Sequence, residues 1–208
     1  MEFVYVVKRY DLFDLAFPHG FMSYSEAGLE IGRYMDRIRE RGFFLERRAA
    51  ERDSSFKQII PYCLVTTGDE MFLLHRFGTQ GETRLHDKLS IGVGGHINPV
   101  DTGGDILEKG SERELLEELR FETGYRREVV GVINDESTPV GSVHFGIVYR
   151  VRPESRDVAV RETDQMGGGW VALPELRRVF EAERPRFETW SSLILDRIGD
   201  ALGRPAGA

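Results

Sequence analysis

The chain is 208 residues long, 40% apolar and 30% charged, with a formal net charge of −7, the make-up of a globular protein with one large domain or one domain and an appendage. The acidic balance excludes a nucleic-acid binder working through a general positive field, so long nucleic acid is not an expected partner. The single Cys63 excludes an internal disulfide framework, no apolar run reaches the ~18 residues of a membrane span, and the start lacks the apolar region of a signal peptide, so a cytoplasmic protein with no membrane partner is expected.

Residues 2–7 (Glu-Phe-Val-Tyr-Val-Val) are β-branched and aromatic and predict a strand. Residues 11–21 read as an irregular, aromatic-rich loop. Ser25 can cap a helix running to about Arg41, with Ala27, Ile31, Tyr34, Met35 and Ile38 on its buried stripe and Gly42 as its stop. One helix and one or two strands enclose little core, so residues 1–56 are expected to form an N-terminal extension packed on the main domain. Residues 58–66 predict a strong strand, with Pro61 placing it at an edge or a bulge. Thr67-Gly68-Asp69-Glu70 supplies a turn and residues 71–75 the partner strand. Cys63 reads as a small core residue rather than a nucleophile. The polar loop 76–88 carries Arg76, Arg84, His86 and Lys88, either as solvated surface or as phosphate contacts at the mouth of a site.

Residues 90–95 predict a short strand ending in the pair Gly94-Gly95, and 98–104 a turn-rich loop. A helix then starts somewhere between Asp105 and Ser111. Leu107, Leu115 and Leu119 recur on one side of it, with Gly110 permitting close packing. Glu114, Glu117 and Glu118 stand at i, i+3 and i+4 and so share a face. Three carboxylates at one spot repel unless a divalent cation lies among them, and such hard oxygen ligands suit Mg²⁺ or Mn²⁺. The competing reading is an ordinary solvated helix face opened by a capping box at Ser111-Glu112-Arg113-Glu114.

Residues 129–134 and 144–151 predict strands, joined by an acidic loop over 135–141 that is either hairpin surface or a lid touching substrate. His144, in an apolar strand, reads as a hydrogen-bonded core group. Arg161-Glu162-Thr163-Asp164 and three glycines precede a short strand at 170–173. Pro174 opens a helix to Phe180, and a last helix spans 187–198 with Trp190 in the core. Residues 201–208 are expected to form a flexible tail.

The stretch from Gly94 to Phe121 resembles the signature box of the Nudix (MutT-like) hydrolases, G-x5-E-x7-R-E-U-x-E-E-x-G-U with U apolar. Gly95 stands at the first Gly and Asp101 where the family has Glu. Arg113-Glu114-Leu115 and Glu117-Glu118 match the helical core, and Phe121 the last apolar position. Eleven residues rather than seven separate Asp101 from Arg113, and Arg120 replaces the Gly that usually ends the helix.

The similarity covers roughly residues 57–200 and implies an α/β/α sandwich with a mixed β-sheet. It further implies a hydrolase that cleaves a diphosphate linkage in a nucleoside diphosphate derivative, with Mg²⁺ or Mn²⁺ as cofactor. Carried over position by position, the implied metal ligands are Glu114, Glu117, Glu118 and the carbonyl of Gly95. Arg113 orients the glutamates, completing the catalytic set, and Asp101 braces the loop. Glu114 is the first candidate for general base, with Glu162 and Glu136 as alternatives. Arg76, Arg84, Glu136 and Glu162 are the expected substrate contacts. The expected partner is a small nucleoside diphosphate-type molecule, and a homodimer is a further expectation. The alternative is a nucleotide sensor on the same fold that does not hydrolyse its ligand. An isoprenyl diphosphate isomerase would need a catalytic cysteine and placed histidines, which Cys63 and five scattered histidines supply poorly.

Overall fold

The computed structural model describes residues 1–14, 16–77, 87–161 and 163–202. In chain order these form β1 (Phe3–Lys8), α1 (Arg9–Leu12), β2 (Gly20–Ser23), α2 (Tyr24–Arg41), β3 (Phe43–Glu46), α3 (Arg47–Ala50), β4 (Phe56–Thr67), β5 (Glu70–Arg76), β6 (Leu89–Ser90) and β7 (Val93–Gly94). They continue with α4 (Ile106–Glu118), β8 (Leu119–Phe121), β9 (Tyr125–Asn134), α5 (Pro139–Ser142), β10 (His144–Pro153), β11 (Val158–Val160), β12 (Met166–Ala172), α6 (Leu173–Glu183), α7 (Thr189–Leu195) and α8 (Ile198–Ala201).

Ten of the described strands assemble into a mixed sheet with the path β12-β5-β4-β10-β9-β2, and β8 and β11 pair as a separate ribbon. β4 runs parallel to β10 and antiparallel to β1, β5 and β7. Because β4 is covered on both faces, its stretch 59–65 is free of charged side chains, and the two faces separate only by parity. Ile59, Cys63 and Val65 enter one core with Ile31, Tyr34 and Ile38 of α2 and Leu107 and Leu115 of α4. Tyr62 and Leu64 enter the other with Leu176 and Phe180 of α6 and Ile194 of α7. Two helical layers thus sandwich one sheet, the expected α/β/α arrangement.

The structure corrects several expectations. Pro61 lies in this central strand, not at an edge. β1 pairing ends at Gln58 and β7 pairing begins at Tyr62, so the missing N–H falls between two partners. The aromatic loop 11–21 is interrupted by structure, because its rings plug the core. Phe13 packs edge-on against Tyr34 and Phe145, with centroids 5.8 and 5.6 Å away, and β2 then pairs with β9. The three glycines 167–169 lie inside β12 rather than before it; a Cβ at Gly168 would come within 2.6 Å of the Phe72 ring. The helix over 187–198 is two: α7 follows a 3₁₀ turn at Arg184–Arg186, and a turn at Asp196 and Arg197 separates it from α8. Ala201, where the tail was expected to begin, is buried in α8, and 203–208 lie outside the described residues.

Residues 1–56 contribute β1 and β2 to the sheet and α2 to the larger core. Among the described residues no helix is long and apolar enough to cross a membrane.

Candidate active site

The site is built on α4. The Asp105 carboxylate accepts hydrogen bonds from the backbone of Leu107 and Glu108 at 3.0 and 3.3 Å, which makes it the N-cap. Ser111 is buried inside the helix and donates to the Glu108 carbonyl at 3.0 Å, so the capping box at Ser111 does not form. Seven residues of helix therefore precede Arg113, and they absorb part of the long spacing from Asp101. At the other end Leu119 leaves the helix at φ −123°, ψ 149° and runs directly into β8. That exit is extended backbone open to any residue, so nothing there calls for a glycine, and Arg120 stands exposed beside Glu122.

Arg113 organises the surroundings. Its Nε and Nη2 donate to the two Asp101 oxygens, each at 2.9 Å, in a bidentate pair, and Nη2 also donates to the His96 carbonyl at 2.8 Å. Its Nη1 donates to Glu114 at 2.8 Å and to Glu117 at 2.9 Å. Asp101 closes the loop by accepting from the Asn98 backbone at 2.8 Å. One guanidinium thus joins the loop after the glycine pair to two glutamates of the helix.

Glu114 lies against Gly95: a Cβ at that glycine would fall 2.1 Å from its Oε2, so only glycine leaves room for the carboxylate. Burial pushes the Glu114 carboxyl up to about 7 against the pull of Arg113, and Glu117 and Glu118 push the same way. Glu117 is more than half exposed. Glu118 lines a cleft of about 570 Å³ together with Gly95, His96, Arg76, His144 and Trp190, a volume usual for small-molecule sites. The Glu114, Glu117 and Glu118 carboxylates and the Gly95 carbonyl offer hard oxygen donors of the kind Mg²⁺ or Mn²⁺ takes. Among the described residues no three acidic, histidine or cysteine groups already converge on one point.

The remaining expected contacts divide. Arg76 is on the cleft wall, but its Nε donates to Glu188 at 2.7 Å. Lys88 is also on the wall and donates to the Pro185 carbonyl at 2.6 Å. Glu136 is not among the cleft-lining residues; it is tied by Arg9, by Lys57 at 2.8 Å and by Asn134 at 2.8 Å. Its loop is no solvated hairpin, since Asp135 is buried and accepts from Ser137 and Thr138. Arg84, His86 and Glu162 lie outside the described residues.

Three further residues, His96, His144 and Trp190, line the cleft. His144 donates through Nδ1 to the Val140 carbonyl at 2.7 Å, and its Nε2 is 3.3 Å from the Nε2 of His96. Burial, and then the neighbouring His144, hold His96 down to about 3. Trp190 is half-buried at the margin of the core. It packs edge-on against Tyr62 at 5.7 Å and lies over Gly146, where a Cβ would meet the indole at 2.8 Å. The glycine next to His96 was the available signal for that residue; nothing local marks Trp190, whose place depends on Tyr62 and Gly146.

A mixed sheet between two helical layers, with a glycine turn and an Arg-Glu helix at one end, is the architecture of a Nudix-type hydrolase. No family model matches the chain. It is 38% identical over 159 residues to Protein YmaB of Bacillus subtilis strain 168, covering 73% of this chain and 76% of that protein. The crystal structure of Tm1382, assigned as a Nudix hydrolase, superposes with a TM-score of 0.76 at 28% identity, covering 95% of this chain and 98% of that one. DR0079 from Deinococcus radiodurans shares the fold at a TM-score of 0.51 and 18% identity, over 67% of this chain and 81% of that one. Over nearly the whole of both chains the protein has the fold of Tm1382, and it is an enzyme of the Nudix pyrophosphohydrolase type.

Proposed function

We propose that the protein cleaves a diphosphate linkage in a nucleoside diphosphate derivative, with Mg²⁺ or Mn²⁺ as cofactor. The observation that carries this reading is the buried Glu114 seated on Gly95 and clamped by Arg113 beside the cleft. Glu114, Glu117, Glu118 and the Gly95 carbonyl would hold the cation. When bound, it offsets the diphosphate charge and makes a coordinated water more acidic.

The chain's own groups do the rest. Arg113 fixes Glu114 and Glu117 in one orientation and ties them to the Asp101 loop, so the carboxylates are held before substrate arrives. Hydrolysis forms one bond from a water oxygen to phosphorus and breaks the bond from that phosphorus to the bridging oxygen. A water proton goes to a Glu114 carboxylate oxygen. Glu136 is the weaker candidate for that proton, because Arg9, Lys57 and Asn134 already occupy its oxygens. Among the described cations of the cleft wall, Arg76 and Lys88 would meet phosphate, with Arg84 and Glu162 as further proposed contacts. Residues 57–200 carry this chemistry and 1–56 brace it. The acidic net charge favours a small molecule over long nucleic acid, and the lone buried Cys63 suits the cytoplasm.

The test is a phosphate-release screen over nucleoside diphosphate compounds with Mg²⁺ or Mn²⁺, and with a chelator as control. Release that stops on chelation is expected. Nucleotide binding without release from any compound would identify a sensor instead.

A further inference from the structure

His96 and His144 reach the cleft wall from two different elements. His96 follows the glycine pair on the loop whose carbonyl Arg113 holds at 2.8 Å, and His144 opens β10. The Val140 carbonyl can only accept, so the proton of neutral His144 sits on Nδ1 and its Nε2 carries the lone pair, directed at His96. A histidine that gives its far N–H to a backbone carbonyl has the tautomer and ring orientation of a metal ligand. The two Nε2 atoms are 3.3 Å apart, long for a hydrogen bond between rings. Two nitrogens at that spacing, each about 2.1 Å from one ion, subtend about 104° at it, close to the tetrahedral angle. Arg47, the cation that also lines the cleft, is already engaged by Glu2 at 3.0 Å and Glu51 at 2.8 Å.

We propose that His96 and His144 chelate a divalent cation of the late d-block, zinc- or cobalt-like, on the cleft wall. Imidazole nitrogen selects such ions, whereas Mg²⁺ and Mn²⁺ prefer oxygen, so this site differs in kind from the carboxylates of α4. On binding, the proton of His96 moves from Nε2 to Nδ1, so the ring stays neutral. The two imidazoles supply half of a four-coordinate shell. Water or a phosphate oxygen in the cleft completes it.

The site is tested by titrating the full chain with Co²⁺ and following visible absorption, a readout independent of hydrolysis. The expected result is a saturable one-to-one band with four-coordinate intensity. His96→Gln and His144→Gln should each weaken it by at least ~10-fold in affinity. A Glu114→Gln/Glu118→Gln double variant should keep it. Absence of the band, survival in both histidine variants, or loss only in the glutamate variant would overturn the proposal. Should the histidine variants fail to fold, X-ray absorption on the Co²⁺-loaded natural chain decides: two imidazole scatterers support the site, and an all-oxygen shell refutes it. Because neither measurement involves turnover, the chelate can stand while the hydrolytic reading fails, or the reverse.

Discussion

Arg113 makes five hydrogen bonds, to Asp101 twice, the His96 carbonyl, Glu114 and Glu117, and no other side chain type could make them all. Lysine is a point donor without the planar fork that meets both Asp101 oxygens. Removing the guanidinium leaves Asp101 buried with its charge answered only by the Asn98 N–H. Arg113→Met is therefore expected to cost about 3 kcal/mol or more of folding stability in urea melts. Adding Asp101→Asn should return part of the loss, since the orphaned charge goes with it. Simple additivity of the two variants would refute this account of the clamp. A different signature is expected from Glu118, which lines the cleft: Glu118→Gln should lower kcat by about 10²–10⁴ while the protein still melts cooperatively. Gly95→Ala belongs with it, because the new methyl must displace the Glu114 carboxylate. A shift near 1 Å there should cost about 10²-fold in kcat. Full activity in Gly95→Ala would show that Glu114 need not sit where it does.

At the scale of the element, the two ends of α4 make opposite predictions. Asp105→Ala removes the observed cap and should cost about 1 kcal/mol, whereas Ser111 caps nothing. Arg120→Gly would restore the family glycine, yet the helix exit is extended and position 120 lies in β8. The change should destabilise by about 0.5–1 kcal/mol in thermal or urea melts, and a gain in stability would mean the exit is left-handed after all. The same helix illustrates what could be read from the chain alone. Its charged face, its leucine stripe and the room for close packing at Gly110 were legible, because they depend on spacing within one element; that Ile97 packs there was not. Its first residue was not, since Ser111-Glu112-Arg113-Glu114 mimics a cap and only the fold shows Asp105 doing that work. Long central strands such as β4 and β10 were legible for the same reason as the stripe. β8 and β11, three residues each, were not, because they exist through pairing with one another. The cleft wall was least legible. Glu188 meets Arg76, and His144 meets His96, only because the sheet brings distant segments together.

For the whole molecule, the question is whether residues 57–208 could stand alone. β1 covers the start of β4 and β2 extends the sheet beyond β9, so removing 1–56 would bare ladder hydrogen bonds along two strands. The apolar loss is larger. Val7, Leu12, Phe13, Ile31, Tyr34 and Ile38 are all buried in one cluster with Leu107 and Leu115, on the side of the sheet that carries α4. Each such side chain contributes about 1.5–3 kcal/mol by leaving water. Their sum equals or exceeds the ~5–15 kcal/mol by which a domain of this size is stable. The buried Lys57 would also lose the Arg9 arm of its network, leaving Glu136 half-answered next to the loop that forms the cleft wall. A chain beginning at Lys57 is therefore expected to show no cooperative melt and to bind a hydrophobic dye, as a collapsed but unpacked state does. A sharp thermal transition in that shortened chain, with dye binding no greater than in the full one, would show that the catalytic half folds by itself and that the first 56 residues only lean on it.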